Sequence, residues 1–534
     1  MSELSQQTQK LISRYQNWFK FSQPQEGMAA IHVDEVASRV ASFYEKMRGI
    51  IDWREEHLLR KTAIERILKR RLFLKKEGKD IAESLVHELI RGGHFPNDSI
   101  SENKIIDIQK LIDKYIFIIN NAPAAPKEKI KIQLYDWLMS VAACEVEETL
   151  SPPSRENALM DYMLELMQER INVKEGIFVV KGISEEDKKA QTYIALQKAL
   201  FKLDPPIISY NLVKRWYPDW FNLSQEGLGK VSSNIYLLWE KIEKNFHHPL
   251  SEKFYNICER YDTSYLILGD IISADPDSAK ANLENPGTLE SKIREAYQAR
   301  LKKIKSRMGR AAFYSTLSIF LTKILTAFAI EVPFDKYVTG QFDYLTIGMS
   351  VLIPPLLMIF LIASIRPPSK QNAEMVVLEV MKIAYERERK DIYEVRSRRK
   401  RGFVLNSIMT LLYLASFVAS FGFLAWGLRR FGFSVLSIII FLIFISLISF
   451  AGAKIRQRAK ELVVEREKDS SLFILFDLFS IPIIRVGRWL SGQWVKYNAI
   501  ALLFNSLLDM PFQAFVEFFE QWRIFVKEKK EEIH

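Results

Sequence analysis

The sequence predicts an all-α, polytopic integral membrane protein with about four transmembrane helices and a large N-terminal cytosolic helical domain. Three observations carry this. Four apolar stretches of about 20 residues or more lie within residues 311–453, each long enough to cross a ~30 Å hydrocarbon core. The region before them repeats apolar positions at helical spacing. Lys and Arg crowd the ends of the apolar stretches on one side. Of 534 residues, 48% are hydrophobic and 12% aromatic, which excludes a disordered chain. Two cysteines, Cys144 and Cys258, exclude a disulfide framework.

The expected organisation is a helical cytosolic domain at 1–275, a linker and charged helix at 276–310, and a transmembrane hairpin at 311–365. A charged helical cytosolic loop at 366–402, a second hairpin at 403–453 and cytosolic or interfacial amphipathic helices at 454–534 follow. Residues 1–20 have charges but no apolar run, so no secretory signal is expected there.

In the first region Ile105, Ile108, Leu111, Ile112, Tyr115 and Ile119 recur at the 3.6-residue period. Asp34, Ser101, Ser154 and Ser184 stand where helix N-caps belong. Residues 176–182 read as a strand, and breaks fall at 92–98, 122–127, 151–154 and 204–206. No fixed-period repeat supports a solenoid. Residues 274–288 (ADPDSAKANLENPGT) read as the linker, and Leu289 opens a charged helix that runs into the first span. Two more charged helices, 373–400 and 454–468, are expected to join it in a stalk.

The spans are 311–330, 343–365, 403–427 and 431–453. Basic residues at 300–310, at both ends of 366–402 and at 454–460 place both termini in the cytoplasm, with Arg429 and Arg430 as the exception between spans three and four. That pair leaves a re-entrant second hairpin as the alternative. Lys323 is the one ionisable group inside the apolar runs, where a lysine costs roughly 2.5–3.5 kcal/mol. It is expected to snorkel. Its alternative partners are Asp477, in a short apolar segment at 472–484, or the carbonyls of Ser350 and Val351 that Pro354 and Pro355 deprive of donors. Ala415, Ser416, Ala419, Ser420 and Gly422 make a small-residue face for close helix contact. Phe512, Phe515, Phe519 and Trp522 mark an amphipathic C-terminal helix.

The strongest basic element is the helix at 60–76, where Arg66, Lys69, Arg70 and Arg71 surround an apolar face of Ile64, Ile67 and Leu68. Such a helix binds anionic lipid heads or tracks RNA phosphates, or it is merely solvated. No RNP, KH or zinc-ribbon pattern supports nucleic acid. His87 and His94 in HELIRGGH are seven apart across a glycine pair, so they cannot ligate zinc from one helical face. Cys144 sits among Glu145, Glu147 and Glu148, which oppose thiolate formation. Trp216, Tyr217, Trp220 and Phe221 read as an aromatic corner filling a core. No catalytic motif, metal site or cofactor is expected. The sequence points to a non-enzymatic membrane-anchored scaffold or assembly protein that binds a cytosolic protein or self-associates within a lipid bilayer. An oligomeric channel or transporter is the alternative.

Overall fold

The computed structural model describes residues 3–21, 30–33, 56–74, 80–174, 184–340, 343–365, 370–385, 391–396, 402–459, 462–463 and 471–496, with isolated positions elsewhere. The expected caps and strand at Asp34 and 176–182, and most of the C-terminal amphipathic helix, lie outside them.

The N-terminal region is helical: α1 (Gln6–Phe21), α2 (Glu56–Leu74), α3 (Ile81–Arg91), α4 (Asn103–Asn120), α5 (Glu128–Leu150) and α6 (Ser154–Arg170) precede a short strand, β1 (Ile171–Lys174). Then come α7 (Glu185–Leu200), α8 (Pro205–Trp216), α9 (Gln225–Ser233), α10 (Ile235–Phe246), α11 (Ser251–Ala274) and α12 (Ala279–Glu284). Sequence chemistry sets several starts. The side chains of Ser184, Asp204 and Ser224 each accept a backbone N–H from the first turn of α7, α8 and α9, satisfying donors that a helix leaves open. Ser154 is the first helical residue rather than the cap, and Pro153 precedes it.

Two cores divide this region. One joins α2–α5 to α9 and α10 through Ile64, Leu85, Ile108, Val141 and Ile235. The other joins α1, α6, α7 and α11 through Leu11, Met163, Leu196 and Leu268. Helix α8 separates them: Ile208 and Leu212 belong to one core, Tyr210 and Val213 to the other.

The second core also contains residues far along the chain. Residues 274–288, expected to link the domain to the membrane, are themselves folded, with Ala279 and Leu283 buried in that core. Helix α13 (Pro286–Thr326) contributes Ile293 and Tyr297 before it turns apolar. The segment between the second and third apolar helices forms α15 (Lys370–Ala384) and a strand, β2 (Tyr393–Arg396), instead of one helix over 373–400. Val376, Val380 and Ile383 of α15 are buried in the same core, and β2 pairs in parallel with β1 in the register Ile171↔Tyr393 to Lys174↔Arg396.

The chain's N-terminal segment caps α15. The carbonyls in its last turn have no partner within the helix. Tyr162 donates its hydroxyl to the Ile383 carbonyl at 2.7 Å, and the Ser5 N–H reaches the Ala384 carbonyl at 3.1 Å. Asn372 donates to the Leu462 carbonyl at 2.5 Å and to the Tyr297 hydroxyl at 3.0 Å, tying the three segments that leave the apolar bundle.

The bundle comprises α13, α14 (Tyr344–Ala363), α16 (Phe403–Arg430), α17 (Val435–Ala459) and α18 (Ser471–Lys496). Among the described residues, four helices are long and apolar enough to cross a membrane: Pro286–Thr339, Tyr344–Ala363, Phe403–Arg430 and Val435–Gln457. Arg429 and Arg430 end α16, where cations favour the helix dipole; Arg429 also donates to the Phe433 carbonyl at 3.4 Å. Residues 472–484 are the first half of the 26-residue α18 rather than an isolated short segment. Its Pro482 lacks the N–H that would serve the Leu478 carbonyl. Ser416 supplies that donor at 2.7 Å, and Ser420 donates to the Phe479 carbonyl at 2.9 Å, so the small-residue face of α16 is where α18 packs. At the crossing of α18 and α17, a Cβ on Gly487 would fall 1.9 Å from the Ser446 carbonyl oxygen, so only glycine fits.

Tyr162 is 3% exposed, and its hydroxyl ties α15 to the domain. Tyr162→Phe should therefore cost about 1–3 kcal/mol by leaving a buried carbonyl underserved. Thermal unfolding should shift down, and hydrogen exchange should accelerate across 370–385; an unchanged exchange pattern there contradicts the capping role.

Candidate functional site

The polar site inside the bundle is built by a break in helix regularity. Past Thr326 the chain stays helical but widens into two π-helical turns, Ala327–Glu331 and Asp335–Thr339, on either side of Val332–Phe334. Pro333 lies between them. It cannot donate to the carbonyl four residues back, and its ring crowds that carbonyl, so a wider turn relieves both problems. In a regular helix, a residue eight positions on lies about 80° around the axis. A wide turn takes more residues per revolution and brings Glu331 back onto the face of Lys323.

Lys323 and Glu331 form an ion pair, at 0% and 1% side-chain exposure. Ser350 donates its hydroxyl to the other carboxylate oxygen at 2.8 Å, and the Lys323 ammonium lies 5.3 Å from the Phe444 ring centroid. Lys323 thus does not snorkel; its ammonium is held by Glu331, which was not among the expected partners. The apolar pattern ends the first span at Ile330, whereas in the structure the helix runs on through Glu331. The side chain of Asp477, on α18, lies outside the described residues. Pro354 and Pro355 are buried within α14, and Ser350, whose carbonyl Pro354 deprives of a donor, meets the cluster through its hydroxyl. One turn beyond Glu331, the buried Asp335 accepts from Ser437 at 3.3 Å through Oδ2, while its Oδ1 has no hydrogen-bond partner. The signal available in the sequence was the spacing Lys323, Glu331, Asp335, which puts three charges on one side of a helix if that helix runs on.

The basic helix is turned inward. Arg70 and Arg71 both bind Glu88, which is 3% exposed, and Lys69 pairs with Glu65 at 2.9 Å and Asp136 at 2.8 Å. Arg66 is half-buried on the same helix. The aromatic corner is core. Trp220 is 1% exposed and donates its indole N–H to Glu145 at 2.9 Å. Glu145 also accepts from Tyr115 at 2.7 Å and Lys114 at 2.5 Å. Burial holds the Lys114 ammonium below its ordinary range, with Glu145 opposing.

A cavity of about 680 Å³ opens between the N-terminal region and α13. Its wall comes from the end of α5, the start of α6, the α7–α8 connection, α11 and residues 299–307 of α13. Lys202, on the wall, adopts a left-handed backbone (φ 51°), which a non-glycine residue holds at a cost. Cys144, also on the wall, is buried, and that burial pushes its thiol well up. Among the described residues, no group of three His, Cys, Asp or Glu is placed to hold a metal ion.

The fold and the buried cluster define an all-α protein with four helices able to cross a membrane, joined to a large helical region through a shared core. Comparison with family models, with curated proteins and with solved structures gives no match.

Removing one member of the Lys323–Glu331 pair strands the other in a low-dielectric site, at a cost of about 3–5 kcal/mol. Lys323→Leu and Glu331→Leu should each lower the melting temperature in detergent, and the double variant should recover most of the loss. A neutral Lys323→Leu refutes the pairing.

Two carboxyls on the cavity wall are also tuned by burial. Glu147 rises from 4.5 to about 7 against the opposing pull of Arg60, and Asp262 from 3.8 to about 7 against Lys202. Each binds its proton more tightly folded than unfolded. The stability this contributes is complete below the ordinary carboxyl values and is lost as pH rises through about 7. The fall in melting temperature between pH 5 and pH 8 should therefore be smaller in Glu147→Gln/Asp262→Asn than in the wild type. An equal fall contradicts the assignment.

Proposed function

We propose that the protein is a non-enzymatic, membrane-anchored scaffold. Its helical region, held at the cytoplasmic face by the Lys and Arg bias of the flanking segments, presents a surface to a protein partner or to a second copy of the chain. The observation that carries this reading is the shared core. Leu11, Met163, Leu268 and Ile293, which precede the first apolar run, and Val380, which lies between the second and third, pack as one unit. A domain fused to its anchor in this way transmits position and orientation instead of swinging on a tether. The Lys323–Glu331–Ser350 cluster supports the same reading, because its charges satisfy one another.

A second reading, an oligomeric channel or transporter, draws on one observation: the Oδ1 of the buried Asp335 has no partner. Buried acids in apolar bundles mark ion or proton pathways.

The full chain, purified in detergent and reconstituted in liposomes, separates the two. The scaffold reading expects a homo-oligomer by mass or a stoichiometric partner by affinity capture, together with ion flux no greater than that of empty liposomes. A monodisperse monomer without a reproducible partner overturns it, and flux abolished by Asp335→Asn moves the assignment to the second reading.

A further inference from the structure

The charges around the cavity cancel on one side and not on the other. Arg60 faces Glu147 at 3.3 Å, Arg155 faces Glu156 at 2.9 Å, Lys202 faces Asp262 at 3.6 Å and Arg300 binds Asp270. The remaining acid, Glu148, is held by Lys214 at 2.6 Å. Two bases on the wall are left over, Lys303 and Arg307. They stand one turn apart on α13, exposed, and among the described residues neither has an ion pair. Arg307 precedes the apolar run at 311 by four residues, about 6 Å along the helix, which sets the pair at headgroup depth.

The rest of the wall complements these cations. Tyr210 is 2% exposed and lines the cavity, and its hydroxyl, close to Glu148, meets no hydrogen-bond geometry among the described residues. An orphaned buried hydroxyl is costly unless something completes it. Trp18, Leu203, Ile207, Leu266 and Leu462 add apolar surface. A volume of about 680 Å³ lies in the range that encloses small-molecule ligands.

The geometry points to a binding site for a phosphate ester that carries an apolar group. Lys303 and Arg307 take the phosphate by charge-assisted hydrogen bonds, and Tyr210 completes its hydrogen bonding on a ligand oxygen. Anionic phospholipid and soluble phosphate ester share this chemistry. The site is independent of the scaffold reading, since it requires neither a partner protein nor an oligomer.

Binding is measured on the full chain in detergent, by native mass spectrometry and thermal shift, with three probes: dihexanoyl phosphatidylglycerol, dihexanoyl phosphatidylcholine and glycerol 3-phosphate. Dihexanoyl phosphatidylglycerol should bind one-to-one and raise the melting temperature more than the zwitterionic lipid does. Lys303→Gln/Arg307→Gln should weaken it about ten-fold or more, whereas Lys302→Gln/Lys305→Gln, an equal charge change outside the cavity wall, should leave it within about two-fold. Tyr210→Phe should weaken it as well. Glycerol 3-phosphate binding as tightly as the lipid, with the same dependence on Lys303 and Arg307, supports the site and names a soluble ester as its ligand. Equal weakening by both double variants reveals only a general basic collar and overturns the proposal, as does the absence of binding by every probe.

Discussion

The arrangement depends on the burial of α15 in a core that reaches back to Leu4 and Leu11 at the start of the chain. Val376, Val380 and Ile383 of α15 are buried in that core. Burying such side chains is worth roughly 1.5–3 kcal/mol each, and here the apolar surface they meet is that of α11 and α13. Once α15 is docked, the ends of α13, α14 and α16 are constrained, because each connects to it or to the same core. Tyr162, Ser5 and Asn372 then satisfy polar groups that would otherwise make the docking costly.

The apolar bundle solves the same problem of satisfying buried polar groups without water. Prolines there orphan carbonyls, and at Pro482 and Pro354 a serine stands nearby. Pro482 leaves Leu478 to Ser416 on the next helix. Pro354 leaves Ser350, whose hydroxyl meanwhile serves Glu331. Pro333 acts differently, by widening the helix until an acid reaches a lysine. These are local irregularities with long-range effect, since each one selects which neighbouring helix face fits. Gly487 adds a purely steric version, because a side chain there would displace α18 from the Ser446 backbone.

Charge patterns that look alike in the sequence end in different environments. Arg70 and Arg71 belong to the densest basic run, yet both are absorbed by Glu88. Lys303 and Arg307 belong to a less conspicuous run, line a cavity and form no ion pair among the described residues. The difference is whether tertiary packing delivers an acid within reach. A buried carboxylate needs cations as much as they need it, so Glu88 draws the helix face inward.

Membrane-length helices, their number and much of the helical character of the first region were legible in the sequence, because a run of twenty apolar residues or a 3.6-residue period is a property of neighbours along the chain. The cores were partly legible for the same reason: Ile64, Ile67 and Leu68 were recognisable as one buried face, and Trp220 as an anchor. The partner of Lys323, the folding of 274–288 into a core, the two-stranded pairing of 171–174 with 393–396 and the cavity beneath α13 were not. Each depends on residues brought together across a helix irregularity or across hundreds of positions. Local pattern sets what a segment is able to bury, whereas its partner is chosen by the mutual fit and polar satisfaction of surfaces that meet only in the folded chain.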